Sequence, residues 1–230
     1  YSPAELSCTS VTHPDRTDGL TVTDFTVETT VENQQDLMYV SQIGCTEAVH
    51  GESGVTLNFQ HALSSIVFAA IDNDDNADYE INSITIKGKF QIKGTFKELA
   101  TTKWSGSPES TAVTYAPSVR VTEVPEDQAT VFTFGTSALL MIPQAVPADA
   151  TVSIVYTVKP TTGAPSYTVN TDTQNGPENP IKLKDFLIGG TTGSIIENWA
   201  QGTRYTYLIQ FGGSKKIFYV PTVTNWTTGA

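Results

Sequence analysis

Successive side chains of an extended backbone point to opposite faces of a sheet, so a chain whose polarity switches at every residue is committed to strands with one wet face. That alternation is explicit at three places. Phe90, Ile92, Gly94 and Phe96 alternate with Lys89, Gln91, Lys93, Thr95 and Lys97. Val152, Ile154, Tyr156 and Val158 alternate with Thr151, Ser153 and Thr157, and Tyr205, Tyr207, Ile209 and Phe211 with Arg204, Thr206 and Gln210. Each reads as a half-buried strand.

Two other segments are apolar on both parities. Leu63 to Ile71 and Ile217 to Val220 have no polar face to turn to water, so they are expected to be central or covered on both sides. Helix signals are poor. Pro, Gly, Asn and Thr recur too often, and no segment carries an i, i+3, i+4, i+7 stripe beyond about two turns. The stretch from Lys184 to Ile188 is the one place that suits a helical turn. Turn chemistry punctuates the strands at Asp72–Asp78, Lys103–Pro108, Pro143–Pro147, Thr161–Pro165 and Gln174–Pro180. Many short strands so separated predict an all-β fold built of β-sandwich domains.

Residues 1–59 supply only about three strands, near Leu20–Val31, Leu37–Ile43 and Gly54–Phe59, too few for a free-standing unit. Residues 60–230 supply enough for a whole sandwich. The expected organisation is therefore the C-terminal part of an incomplete N-terminal β-sandwich domain over 1–59, followed by a complete C-terminal domain over 60–230 that folds by itself.

Charge narrows the partners. The net charge is −11, from 13 Lys and Arg against 24 Asp and Glu. Such a chain repels phosphate backbones and anionic lipid, which excludes nucleic acid and anionic membrane surfaces as expected partners. No apolar run approaches the ~18 residues of a spanning helix. Cys8 and Cys45 fit no zinc spacing, and the sequence leaves open whether they pair in a disulfide.

Catalytic templates fail one by one. There is no Gly-x-Ser-x-Gly elbow, no His-Glu-x-x-His and no glycine-rich loop opening a helix. His13 and His50 fall in polar stretches, whereas His61 abuts an apolar strand and reads as a hydrogen-bonded structural histidine. The acidic loop Asp72–Asp78 has carboxylates at alternate positions. It departs from a calcium loop at Ala77 and Ser83, and reads as a solvated hairpin turn. No catalytic residue, metal ligand or cofactor is expected. Trp104, flanked by Ser105, Gly106 and Ser107, is the candidate for an exposed ring that stacks on a glycan, whereas Trp199 and Trp226 lie beside strands and suit packing.

Several phrases together resemble the fimbrillin-like proteins of Bacteroidetes. Asp36-Leu-Met-Tyr39 and Asn58-Phe-Gln-His-Ala-Leu-Ser-Ser-Ile-Val-Phe68 are similar to that family's Asp-Leu-Leu-Tyr and its aromatic, His-Ala-Leu-Ser and apolar strand. Leu140-Met-Ile-Pro-Gln144 resembles its Ile-Pro-Gln strand end. Trp199-Ala-Gln-Gly-Thr-Arg-Tyr-Thr-Tyr207 resembles its Trp-x-x-Gly-x-x-Tyr-x-Tyr, and Val223-Thr-Asn-Trp226 its closing Val-x-x-Trp.

The resemblance implies sandwich domains of transthyretin-like topology and export as a lipoprotein precursor to the outer membrane. It also implies a cell-surface, structural or adhesive role in type V pili (fimbriae). Subunits would then join by β-strand exchange, with other pilus subunits, and host or bacterial surface ligands, as partners. The candidate exchange segment is Ile217, Phe218, Tyr219, Val220 and Val223, which acts either as the closing strand of its own sandwich or as a donor to a neighbour. Pro221 within it lacks a backbone donor and suits a sheet edge or a crossing between sheets. The alternative function is a surface glycan-binding module using Trp104.

Overall fold

The computed structural model describes residues 6–12, 19–40, 56–116, 121–126, 130–132, 138–175, 180–186, 195–212 and 219–226. In chain order these form β1 (Ser10–Thr12), β2 (Thr21–Thr26), β3 (Met38–Tyr39), β4 (Gln60–His61), β5 (Ser64–Asp72), β6 (Ala77–Gly88), β7 (Lys93–Lys97), β8 (Trp104–Ser105) and β9 (Val113–Tyr115). Then follow β10 (Thr130–Phe132), β11 (Leu139–Met141), β12 (Gln144–Ala145), β13 (Thr151–Pro160), β14 (Tyr167–Asn170), β15 (Ile181–Lys182), β16 (Asn198–Trp199), β17 (Thr203–Phe211) and β18 (Tyr219–Asn225). The helical pieces among these residues are α1 (Thr171–Asn175) and 3-10 turns at Val31–Asn33 and Leu183–Asp185. The second of those turns is the one read from Lys184, displaced one residue towards the N-terminus.

The protein is an all-β sandwich. One sheet runs β10–β5–β17–β18, with β11 also paired to β5, and the facing sheet runs β14–β13–β6–β9, with β15 also on β13. The alternating strands supply the filling. Val152, Ile154, Tyr156 and Val158 of β13 and Tyr205, Tyr207, Ile209 and Phe211 of β17 are all buried, with the intervening residues more open. Rings from the two sheets meet directly: Phe211 stacks on Tyr79 of β6 at 4.5 Å between centroids and meets Tyr156 edge-on at 5.1 Å. Such aromatic pairs add about 0.5–1.5 kcal/mol each beyond the area they bury.

β5 is central, as its two apolar parities require. It pairs antiparallel with β10 and β11 and parallel with β17, from Arg204 opposite Ser65 to Phe211 opposite Asp72. Residues Ser64 to Ala70 are buried without a break.

A second sheet system, β1–β2–β7–β8, covers a separate apolar cluster that includes Val22, Phe25, Leu37, Tyr39, Leu63, Phe96 and Trp104. The alternating Phe90–Phe96 segment is divided between the two cores: Phe90 packs in the main sandwich and Phe96 in the second cluster, with the strand beginning only at Lys93. β2 pairs with β7 through Thr21–Lys97, Val22–Phe96, Phe25–Gly94 and Thr26–Lys93, with a bulge at which Asp24 takes a left-handed φ of 54°. Backbone pairing therefore crosses the boundary expected at residues 59 and 60. Of the expected strand at Gly54–Phe59, residues 54 and 55 lie outside the described residues, and Thr56–Phe59 is outside any strand and exposed, with pairing starting at Gln60.

The acidic loop after β5 is a turn held by its own carboxylates. Asp72 Oδ1 accepts from Asp74 N at 2.9 Å, Asp74 Oδ1 from Asn76 N at 3.0 Å, and Asp74 Oδ2 from the Tyr79 hydroxyl at 2.7 Å. Those bonds hold the Asp74 carboxyl below its ordinary range. Asp72, only 2% exposed, is pushed up to about 6 from 3.8, chiefly by burial and further by neighbouring carboxylates. A folded-state pKa above the unfolded one stabilises below pH ~4, and that contribution is lost as pH rises through about 6. Asp72→Asn is accordingly expected to stabilise the protein at pH 7.5 by about 1–3 kcal/mol and to flatten its stability between pH 5 and 7. Urea titrations at those pH values check it, and an unaltered slope would contradict the assignment.

Candidate functional site

Five phrases scattered over residues 36–226 meet in one hydrogen-bonded junction. β3 and β4 pair so that Met38 lies opposite His61 and Tyr39 opposite Gln60. That register brings His61 Nδ1 to 2.7 Å from Asp36 Oδ2. Burial raises the Asp36 carboxyl above its ordinary range, and the adjacent His61 pulls it part of the way back. Over the other side of the imidazole lies Trp226, parallel to within 6° at a centroid distance of 3.5 Å.

The turn before β17 completes the junction. Gly202, in the left-handed region at φ +62°, donates its N–H to Leu63 O at 2.9 Å and accepts from Trp226 N at 2.8 Å. A non-glycine residue there would meet little steric obstruction but an unfavourable backbone conformation. Ser64 Oγ donates to Ala200 O at 2.8 Å, and Tyr205 OH accepts from Ala200 N at 2.7 Å. Trp199, fully buried, donates Nε1–H to Tyr207 OH at 3.0 Å. Gln144 lies opposite Trp199 in the β12–β16 pair, and its amide bonds both the N–H and the carbonyl of Gln91 at 2.7 and 2.9 Å. The junction thus ties the starts of β5 and β17 and the end of β18 to one another.

An Asp–His pair is also the orienting half of a nucleophilic triad. Here the imidazole is 6% exposed and capped by the indole, and among the described residues its Nε2 has no hydrogen-bond partner, so no hydroxyl or thiol is bonded to it. The described residues hold no group of three or more His, Cys, Asp or Glu side chains suited to a metal. Cys8 is a free thiol, and Cys45, His13 and His50 lie outside the described residues.

The candidate exchange segment is placed in part. Tyr219, Val220 and Val223 lie in β18, while Ile217 and Phe218 fall outside the described residues. β18 pairs antiparallel with β17, through Arg204–Thr224 and Tyr205–Val223 among others, and among the described residues stands at the edge of its sheet. The register shifts between Thr206 and Leu208, across the stretch that holds Pro221, where a missing N–H interrupts least.

Trp104 is not the exposed loop ring its glycine and serine neighbours suggested. It lies in β8, is 8% exposed, packs at 5.8 Å from Phe25 and 5.3 Å from Phe96, and donates Nε1–H to Ala62 O at 2.7 Å. A buried indole with its one donor satisfied is a packing residue. The more open tryptophan is Trp226, through its place at the end of β18.

Residues 10–226 match the family described as fimbrillin-like. No curated protein matches the chain. Among solved structures, a fimbrial protein from Bacteroides vulgatus is similar at a TM-score of 0.58 and 17% identity, over 94% of this chain and 72% of that one. A proposed cell adhesion protein from Bacteroides uniformis is similar at a TM-score of 0.44 and 16% identity, over 89% and 66%. With the family match spanning nearly the whole sequence, the chain belongs to the fimbrillin-like family.

Proposed function

We propose that this protein is a structural or adhesive subunit of a type V pilus, exported as a lipoprotein precursor and displayed at the outer membrane. Its subunits join by exchanging β-strands, and its partners are other pilus subunits together with surface ligands of host or bacterial cells. Family membership supports the subunit role, and the fold shared with a Bacteroides fimbrial protein agrees with it. Work of this kind needs strands and edges and no catalytic residue.

The observation that carries strand exchange is the position of β18. Among the described residues it lies at a sheet edge, and it is held to the rest of its sheet through β17. A neighbour's β18 laid in the same register would make the same ladder with β17, so exchange costs little in bonding while linking two subunits.

A lock tests this. Arg204 and Thr224 are directly opposed and both exposed, so Arg204→Cys with Thr224→Cys, in a Cys8→Ser, Cys45→Ser background, permits one disulfide across the β17–β18 pair. Oxidised before assembly, the monomer is expected to stay folded and to stop polymerising. Oxidised after assembly, the same pair should link neighbours into a ladder on non-reducing gels. Filaments in which every such bond is intramolecular would overturn exchange through β18.

A further inference from the structure

Beside the junction opens a cleft of about 490 Å3, within the ~300–1,000 Å3 range of small-molecule sites. Its walls are the aromatic rings of Phe59 and Trp226, the amides of Gln60, Gln201 and Asn225, and the edge formed by His61 and Gly202. Among the described residues no carboxylate, ammonium or guanidinium lines it.

The amides are already oriented. Tyr39 OH donates to Gln60 Oε1 at 2.8 Å and accepts from Gln201 Nε2 at 2.8 Å. That relay leaves the Gln60 amide with its NH2 and the Gln201 amide with its carbonyl oxygen for another partner. Were both amides reversed, Tyr39 would still bridge them, and one would still offer a donor and the other an acceptor. Asn225, exposed, adds a third amide. Phe59 is 51% exposed although it is fully apolar. One face of the Trp226 indole is occupied by His61, which fixes the ring's plane.

We infer that this cleft binds a neutral sugar ring. A pyranose carries an apolar C–H face, which suits flat aromatic surfaces, and a rim of hydroxyls, each donor and acceptor at once, which suits a fixed pair of complementary amides. Uncharged walls on a chain of net charge −11 favour neutral over anionic saccharides. An extended peptide fits less well, since it would need a long unpaired strand edge within the cleft, whereas β4 is two residues long and β18 reaches the cleft only at its last residue, Asn225. The cleft shares Asn225 of β18 and the adjoining Trp226 with the strand that would be exchanged, so in a filament a neighbour's β18 would supply the same wall.

The test uses the full chain on a printed array of neutral and sialylated oligosaccharides, followed by titration of the strongest neutral glycan. Phe59→Ala and Asn225→Ala alter exposed residues, so each is expected to weaken binding at least tenfold without changing the melting temperature. Tyr167→Ala, at an aromatic residue 56% exposed in β14, should leave binding unchanged. Sialylated forms of the same glycan should bind more weakly. Failure to retain any neutral glycan at millimolar concentration, or retention undiminished in both cleft variants, would overturn the inference. So would selection of extended peptides from a parallel peptide array in place of sugars. Filament formation by Phe59→Ala, expected to be normal, reports separately on the pilus role.

Discussion

Replacing Tyr207 with alanine is expected to cost about 3–5 kcal/mol of stability, whereas Arg204→Ala, three residues before it in the same strand, should change stability by less than about 0.5 kcal/mol. Tyr207 is fully buried, 5.1 Å from Phe186 in an edge-on contact and 5.6 Å from Phe68. Its hydroxyl accepts the indole N–H of Trp199, and burial raises its pKa, so the phenol stays neutral across the physiological range. Alanine would empty the ring's volume and strand the Trp199 donor in the core. Tyr207→Phe separates these losses: it keeps the ring and leaves the donor unpaired, for an expected ~1–3 kcal/mol. Arg204, by contrast, faces water. Urea denaturation monitored by tryptophan fluorescence measures all three, and equal losses at positions 204 and 207 would refute the inward parity of β17.

Residues 60–230 alone are expected not to fold cooperatively, although the sequence by itself suggested that they would. Leaving out residues 1–59 removes β2 from the side of β7 and takes Val22, Phe25, Val27, Leu37 and Tyr39 off Leu63, Phe96 and Trp104. Burying one such side chain is worth roughly 1.5–3 kcal/mol, so the set rivals the ~5–15 kcal/mol by which a whole protein is stable. The shortened chain should bind a hydrophobic dye and melt without a sharp transition, while the full chain melts cooperatively. A shortened chain with the full chain's melting temperature would show that the β2–β7 pairing contributes little.

What sequence reveals here is parity, and what it hides is partnership. Alternation at 151–158 and 204–211 located β13 and β17 and the faces they bury, because the pleat alone decides that. The double apolar parity of residues 63–71 likewise marked β5 as central. Trp104 went the other way. Its glycine and serine neighbours are the composition of a loop, but pairing with Phe96 of β7, eight residues earlier, and an acceptor at Ala62 O, 42 residues earlier, drew it inward. The expected break at residue 59 ignored β2 for the same reason: nothing local announces that a strand will pair with one some seventy residues later. The junction shows both sides of this. Asp36, His61, Gln201 and Trp226 all stand in the phrases that resemble the family, and the place of His61 beside an apolar strand suits a bonded histidine. Only the β3–β4 register, which spacing cannot specify, shows that Asp36 is its partner and Trp226 its cover.

The parallel pairing of β5 with β17 also governs when this molecule can exist as a folded object. β5 is made before β17 and is apolar on both sides, yet one of its edges is completed only by that later strand, with Arg204 opposite Ser65, 139 residues before it. Contacts between such distant segments form late, because closing the intervening loop must precede any return from the ladder, and mixed sheets of this kind fold slowly. Until then the central strand is a bare template for any passing strand. A chain so arranged gains from being kept extended by a holding chaperone while it is made. It is best released all at once, when β17 is present to take its place beside β5.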